Sequence, residues 1–239
     1  MSDVPSRAPT AEAPVRHLGI VLDGNRRWAR RQGLPGAEHG HRDGFAKIPE
    51  VLTWCAEFGI GVVTLWMLSD DNIARRHTEE LEHLYSIDEA VITRLTAMRR
   101  WRVHHIGDPA LLPDRLVKAL RHAEYATRDA CGPLVNLAIG YGGRRDLLNA
   151  INALVRDSAD GLTGEVTADR LARFLSTAGQ PDPDLIIRTS GECRTSGFLL
   201  WQAALGEWYF SDRLWPDFTR DDLQEALRAY ARRHRRLGA

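Results

Sequence analysis

A carboxylate, a glycine and two guanidinium groups follow an apolar run in the sequence Asp23-Gly24-Asn25-Arg26-Arg27. A carboxylate in this setting can hold Mg²⁺, and Gly24 would let backbone N–H groups approach phosphate oxygens at the start of a helix. Arg26 and Arg27 would add charge-assisted hydrogen bonds to the same anion. The pattern favours a phosphate site with a divalent metal. The alternative is that Asp23, Gly24 and Asn25 form only a turn and a helix cap.

A second group of cations and hydroxyl groups lies near residue 190. Arg188 and Arg194 are six residues apart and flank the small polar run Thr189-Ser190-Gly191. Two guanidinium groups beside hydroxyl groups can bind a phosphate or diphosphate through several donors at once. The alternative is an exposed loop in which Glu192 pairs with these arginines. Two phosphate-binding loops with one carboxylate indicate that two phosphorylated ligands meet, which favours a transferase over a simple binding protein.

A glycine-rich loop, Gly140-Tyr141-Gly142-Gly143-Arg144-Arg145, resembles the start of a dinucleotide-binding fingerprint. That fingerprint needs a small residue where Arg145 stands, and no acidic residue ends the next predicted strand. We therefore expect a tight structural turn here and not a Rossmann cofactor site.

Each of these loops follows a short apolar run, and the apolar runs alternate with longer amphipathic ones. Such runs are typical of strands covered on both faces and of the helices that cover them. The alternation predicts one α/β domain with a mostly parallel sheet flanked by helices, and ligands bind at the carboxyl ends of such strands. The predicted strands are His17–Leu22, Gly61–Leu68, Val103–Ile106, Leu134–Ile139, Leu185–Arg188 and Glu207–Phe210, and the predicted helices are Asp43–Phe58, Thr78–Met98, Pro113–Arg128, Arg144–Asp157, Ala168–Ser176 and Asp221–Arg236.

The overall charge argues against a protein that binds nucleic acid through a basic surface. Lys+Arg 32 and Asp+Glu 32 cancel, so no global positive field is expected. Three cysteines without CxxC spacing favour neither a disulfide framework nor a zinc site, and they fit a reducing cytoplasm. The most apolar run, Gly59–Leu68, is too short to span a membrane. Residues 1–15 are predicted to be a disordered tail without a signal-peptide pattern, and residues 16–239 the catalytic domain.

Five motifs occur in order along the chain: HLGIVLDGNRRW at 17–28, GH at 40–41, RTSGE at 188–192, SGFLLWQ at 196–202 and LWPDF at 214–218. Together they resemble the motifs of the cis-prenyltransferases, the undecaprenyl diphosphate synthase family. The resemblance covers about His17 to the C-terminus. It implies a homodimeric enzyme with an apolar tunnel, which uses Mg²⁺ to add isopentenyl diphosphate to an allylic diphosphate with a new Z double bond.

The resemblance also implies a role for individual residues. Asp23 matches the family's aspartate that works with Mg²⁺ and the allylic diphosphate, and Asn72 matches a residue thought to assist deprotonation. Glu207 matches a late glutamate linked to the metal and the dimer edge. The allylic site would be lined by Gly24, Asn25, Arg26, Arg27, Trp28, His41, Ser69 and Arg75, and the isopentenyl diphosphate clamp would be Arg188, Arg194 and Ser196. Taken alone, His41 would more often cap or pack than catalyse.

The chain departs from the pattern of long-chain members at several positions. Arg26 stands where many of them have Gly, and Gly33–His39 carries no Arg where they often have one that touches the allylic diphosphate. Gly197 and Arg76 replace a frequent Asn and a frequent Pro. In these features the chain resembles short-chain actinobacterial (2Z,6E)-farnesyl diphosphate synthases most closely.

Met67 predicts a short product. Alternation along the second strand places Leu65, Met67 and Ser69 on one face, so Met67 should lie in the cavity just beneath Ser69. Long-chain relatives usually carry Ala here, and a methionine should stop the growing chain at about C15, with geranyl diphosphate as the expected primer. The alternative is that Met67 is ordinary core.

Two other functions stay open from the sequence. One is a medium- or long-chain polyprenyl diphosphate synthase, and the other is a noncatalytic partner subunit of a prenyltransferase. Such subunits typically lack the metal aspartate or the arginine clamp, and both are present here. The expected partners are the two diphosphates and a second copy of the chain, without nucleic acid. The basic run at 228–236 could touch anionic lipid headgroups or be a solvated helix face.

Overall fold

The computed structural model describes residues 15–157 and 165–233. At its centre lies a six-stranded sheet in the order β3-β4-β2-β1-β5-β6, and each neighbouring pair runs parallel. The strands are β1 (His17–Val21), β2 (Val62–Ser69), β3 (Arg102–Ile106), β4 (Leu134–Tyr141), β5 (Leu185–Arg188) and β6 (Glu207–Phe210). This confirms the predicted α/β class, with a single domain built on a parallel sheet.

Helices connect the strands. They are α1 (Asn25–Arg31), α2 (Ala37–Ala46), α3 (Ile48–Glu57), α4 (Asp70–Arg75), α5 (Thr78–Met98), α6 (Asp114–Thr127), α7 (Gly143–Asp157), α8 (Ala168–Ala172) and α9 (Arg220–Arg232). Every residue of β1 is buried, which requires cover on both faces of the sheet. The near-continuous apolar character of this strand follows from that cover.

The structure differs from the sequence prediction mainly in three respects. The predicted helix Asp43–Phe58 is two helices, because Pro49 in the first turn of α3 has no N–H to continue the hydrogen bonds of α2. The short helices α1 and α4 lie outside the predicted helices. The helix predicted at Ala168–Ser176 ends as an α-helix at Ala172. Within α5, β5 and β6 the predicted bounds are confirmed.

The core lies on both sides of the sheet. The larger cluster packs α2, α3, α5, α6 and α9 against one face, with Leu65 and Met67 among its members. A smaller cluster on residues of β1, β4 and β5 contains Phe198, against which Trp66 packs. Trp66 stacks on Phe198 with ring centroids 5.0 Å apart. Both clusters include residues near the carboxyl ends of β1 and β2.

Most of the predicted tail, residues 1–14, lies outside the described residues, as do the last residues of the predicted C-terminal helix. Val15, assigned to the tail, is described and is 7% exposed within the core. Among the described residues, no helix is long and apolar enough to cross a bilayer.

Candidate active site

A cavity of about 770 Å³ opens where β1, β2 and β5 end. These strands are neighbours, and Val21 at the end of β1 lies beside Trp66 of β2 and Arg188 of β5. The loops that leave them therefore meet around one space, as parallel sheets require. The lining is mostly charged and polar, and its apolar part consists of Val21, Leu22, Trp66 and Met67.

Asp23 and Arg188 form the centre of the cavity. Nη2 of Arg188 donates to Oδ2 of Asp23 at 2.9 Å, and Oδ1 of Asp23 accepts the Gly24 N–H at 2.7 Å. The Arg188 side chain is 5% exposed and that of Asp23 is 34% exposed. A guanidinium this deeply buried needs a charged partner, so Asp23 holds Arg188 in place while keeping one face toward the cavity.

The loop after β5 shapes a cationic corner that we call the β5 clamp, Arg188, Arg194 and Ser196. Nη1 of Arg188 donates to the Arg194 carbonyl at 2.6 Å and to Oγ of Ser196 at 2.9 Å. Arg194 pairs with Glu192. Ser196 has a positive φ of 51°, a conformation that non-glycine residues rarely adopt. The dense bonding fixes this corner before any ligand arrives.

Arg27 connects α1 to the loop that follows β5. Nη2 of Arg27 donates to the Ser190 carbonyl at 2.8 Å and lies 3.5 Å from Glu192. Gly24 makes the turn between β1 and α1 with a φ of 107°, and a Cβ there would lie 2.9 Å from the Leu214 side chain. Only glycine fits this turn without strain or a shift of its neighbours. The segment Asp23-Gly24-Asn25 is thus a turn that also borders the cavity.

Two glycines allow α2 to pack closely against α1. A Cβ on Gly40 would collide with the Asn25 backbone carbonyl, and one on Gly44 with Oδ1 of Asn25. Asn25 is 4% exposed, and its Nδ2 donates to the Leu22 carbonyl at 2.8 Å. This close approach places His41 of α2 in the cavity wall, which gives a physical reason for the spacing Gly40-His41 and Gly44.

His41 is a neutral imidazole in this structure. Burial, together with the nearby charges of Arg76 and Arg26, lowers its pKa to about 4. Its Nδ1 lies 2.9 Å from the Ala37 carbonyl. In the neutral ring, the nitrogen that faces a carbonyl carries the hydrogen. Nε2 is then a bare acceptor that can receive a hydrogen bond or a proton.

The opposite wall, the α4 side, consists of Ser69, Asn72, Arg75 and Arg76. Oγ of Ser69 caps α4 by accepting the Asn72 N–H at 3.0 Å. The Arg75 side chain is 80% exposed and lies 3.6 Å from Asp71, which is also exposed. No residue of α4 is buried. The helix cap and ion pairs at the surface therefore stabilise this wall.

Met67 reaches the cavity through an irregular stretch of β2. The pairing of β2 with β4 shifts register between Trp66 and Leu68 and again between Leu68 and Ser69. Strict alternation would hide Trp66 from the face that carries Met67, but both side chains line the cavity. Met67 is 7% exposed and also joins the larger core cluster. It therefore belongs to the apolar part of the cavity lining and is a core residue as well.

Two residues assigned by resemblance do not reach the cavity. Nε1 of Trp28 donates to Oδ1 of Asp217 at 2.7 Å, which packs α1 on the turn after β6. Glu207 begins β6 beside Leu185, at the end of the sheet away from Arg188, and it pairs with Arg233 at 2.9 Å. Within one chain, the structure does not bring Glu207 to Asp23.

The other assigned residues line the cavity together, and they are Asp23, Gly24, Asn25, Arg26, Arg27, His41, Met67, Ser69, Asn72, Arg75, Arg188, Arg194 and Ser196. The sequence analysis missed Arg30, Trp66 and Arg76, which line it too. Arg30 lies four residues after Arg26 in α1, so helical spacing could have found it. Arg76 was noted only as a replacement for proline.

The chain is similar to proteins of one kind across nearly its whole length. Residues 21–238 match the sequence profile of the Prenyltransf family, described as undecaprenyl diphosphate synthase. A "(2Z,6E)-farnesyl diphosphate synthase" of Thermobifida fusca is 50% identical over 97% of this chain and 93% of its own, and one of Mycobacterium tuberculosis is 44% identical over 93% and 87%. The crystal structure of lavandulyl diphosphate synthase from Lavandula x intermedia with dimethylallyl diphosphate has a TM-score of 0.88, 31% identity, and coverage of 94% and 98%.

Proposed function

The chain belongs to the undecaprenyl diphosphate synthase family, and from this we propose that it is a short-chain Z-prenyl diphosphate synthase. It condenses isopentenyl diphosphate with a short allylic diphosphate, geranyl diphosphate first among them, to a product of about C15. The observation that carries the proposal is one cavity whose lining combines Asp23, arginines from the loops after β1, β2 and β5, and apolar side chains that include Met67. Two diphosphates and one prenyl tail fit such a lining.

The proposed reaction divides the lining between the two substrates. The β5 clamp holds isopentenyl diphosphate, and the allylic diphosphate binds near Arg26, Arg27, His41 and Arg75. The allylic C–O bond breaks and its electron pair leaves with the diphosphate, whose charge these cations stabilise. The electron pair of the isopentenyl double bond then forms the new C–C bond. The adjacent carbon loses a proton to the departing diphosphate, its C–H electron pair becomes the new double bond, and Asn72 orients this transfer.

Asp23 fits a magnesium ion that is shared with a substrate. Among the described residues, no three His, Cys, Asp or Glu side chains converge as a complete metal site. Mg²⁺ in phosphate-handling sites often takes only one or two carboxylates, along with waters and substrate phosphates. Asp23 supplies one half-exposed carboxylate of this kind. A bound Mg²⁺ would neutralise charge on the departing diphosphate. Glu207 begins the edge strand β6. It could contact the metal only at an interface that β6 forms with another chain.

We also propose a homodimer. Three apolar residues of α7, Leu148, Ile151 and Val155, share one helical face and are 39–60% exposed. Leu200 packs against Gly143 at the start of α7, and the same segment exposes Trp201 and Leu205. Exposed apolar residues in such number on adjoining segments mark an interface, and a second copy is the partner that fits this family.

A cytoplasmic location agrees with the cysteines, since Cys55, Cys131 and Cys193 are all free thiols. Contact with membranes, if it occurs, would be peripheral and would involve the basic face of α9. Neither proposal affects the chemistry of the cavity.

The purified protein should be incubated with radiolabelled isopentenyl diphosphate, Mg²⁺ and primers of five, ten or fifteen carbons, and the products sized by mass. We expect the ten-carbon primer to be used best and to give mainly a product one unit longer. Products of C50 would instead support a long-chain synthase. Absence of turnover with every primer would support a noncatalytic partner subunit.

A further inference from the structure

Arg76 lies in the cavity wall between α4 and α5, on the opposite side of Asp23 from the β5 clamp. Its backbone N–H donates to the Asn72 carbonyl at 3.0 Å and so ends α4. Its side chain is 16% exposed, whereas that of Arg75 is 80% exposed. Arg76 is therefore the shielded cation of the α4 side, while Arg75 extends into solvent.

Glu80 fixes the direction of the Arg76 side chain. Nη1 of Arg76 donates to Oε1 of Glu80 at 2.9 Å, and Glu80 belongs to the first turn of α5. This is the one side-chain hydrogen bond that Arg76 makes within the described ranges. A guanidinium carries several N–H donors in a planar fork. Most donors of Arg76 are consequently left for a ligand in the cavity.

A second carboxyl group, Asp88, lies near Arg76 but does not neutralise it. Asp88 is 1% exposed, and neither of its oxygens has a hydrogen-bond partner in the described parts of the chain. Burial raises the pKa of Asp88 well above its usual range, although the charge of Arg76 acts in the other direction. A buried carboxyl group without hydrogen bonds favours its neutral form. Glu80 alone then balances the charge of Arg76.

Arg26 and Arg76 approach the same ring. Both charges act on His41 and lower its pKa, so both guanidinium groups lie within electrostatic range of it. Arg26 has no ion-pair partner among the described residues. The charge of Arg26 also acts against the charge of Arg76, and a diphosphate placed between the two guanidinium groups would turn that repulsion into attraction.

We propose that Arg76 binds the diphosphate of the allylic substrate directly, with Glu80 as the positioning residue that holds its fork toward the cavity. The inference rests on the proposed function and extends it. It makes Arg76 a residue that determines affinity for the primer, whereas the β5 clamp determines affinity for isopentenyl diphosphate. The two sides of Asp23 are thereby assigned to different substrates.

Steady-state kinetics with each substrate varied in turn tests this assignment. Arg76→Ala should raise the KM for geranyl diphosphate roughly ten- to a hundredfold and change the KM for isopentenyl diphosphate less than about threefold. Arg76→Lys keeps the charge without the fork and should be intermediate. Glu80→Gln should give a smaller rise in the same KM. The matched control is Arg115→Ala, since Arg115 pairs with Glu82 of α5 at 2.7 Å and does not line the cavity.

The outcomes separate the inference from the proposed function. If the wild-type protein turns over no primer, the proposed function fails. If the wild type is active and Arg76→Ala weakens both substrates equally, or neither, Arg76 does not bind the primer and the inference fails. Arg76→Gln keeps the side-chain length and is read in the same way if the alanine variant does not fold.

Discussion

The β5 clamp and the α4 side both present arginines to one cavity, but they are supported differently. Arg188 is buried at the end of a central strand and bonded to Asp23, Ser196 and a backbone carbonyl. The α4 side rests on a six-residue helix without a buried residue and on ion pairs with Asp71 and Glu80. The sheet determines the position of Arg188 in the clamp, whereas the positions of the arginines on the α4 side depend on local contacts.

This difference suggests a division of labour. A substrate that is identical in every cycle, isopentenyl diphosphate, suits a corner with fixed geometry. Allylic primers differ in chain length, and a wall supported by a short helix can accommodate such differences more easily. The variants below test the comparison by removing one support at a time.

Asp23 joins the two sides, so its loss should have the largest effect. Asp23→Ala removes the partner of Arg188 and the carboxylate proposed for Mg²⁺, and we expect kcat to fall about a thousandfold. Initial rates over a Mg²⁺ titration measure this, with gel filtration to show that the assembly is intact. Near wild-type turnover in saturating Mg²⁺ would contradict the site assignment. Removal of Mg²⁺ with EDTA should also abolish turnover by the wild type.

Arg194 tests the clamp alone. Its side chain is 60% exposed, so Arg194→Ala should fold normally. Loss of a charge-assisted contact of about 2–3 kcal/mol should raise the KM for isopentenyl diphosphate roughly thirty- to a hundredfold, and the KM for the primer far less. Substrate-saturation curves for both diphosphates provide the measurement. Equal effects on the two would mean that the clamp does not discriminate between them.

The variant Met67→Ala tests whether the apolar part of the cavity lining limits product length. Met67→Ala should open space beneath the growing chain, and the fraction of products longer than C15 should rise about tenfold. Mass analysis of products from the preferred primer measures the change. Met98→Ala, at the exposed end of α5, is the matched control and should leave the products unchanged. An unaltered distribution in Met67→Ala would make Met67 ordinary core.

The variant Asp88→Asn tests whether Asp88 is neutral beside Arg76. The folded protein keeps a proton on Asp88 that the unfolded chain releases above a pH of about 3.8. Stability is therefore lost as pH rises above that value, and Asp88→Asn should raise the free energy of unfolding at pH 7 by about 1 kcal/mol. The gain should shrink toward pH 4, as urea unfolding at several pH values can show.

The control for that variant is Asp129→Asn, an aspartate whose side chain is 84% exposed, which should show no such gain. If Asp88→Asn destabilises the protein at pH 7, then Asp88 is ionised and pairs with Arg76. That result would also change the charge balance assigned to the α4 side.

Much of the fold could be predicted from local pattern. Strands β5 and β6 and helix α5 have the predicted bounds, because apolar runs and helical periodicity report burial directly. The break at Pro49 was missed although its cause is local. A helix start was expected after Gly24, but neither α1 nor α4 was predicted as a helix, because each is short and begins among Gly, Asn and Asp residues that turns also use.

The sequence by itself determined which residue types could handle two diphosphates and which strands they follow. Only the tertiary structure decided which of them meet. Asp23 and Arg188 are 165 residues apart and touch because β1 and β5 are neighbours. Trp66 enters the cavity because β2 slips register against β4, and Glu207 stays away because it begins its strand at the other end of the sheet. Such placements depend on strand order and register, which contacts between distant segments set and local sequence does not encode.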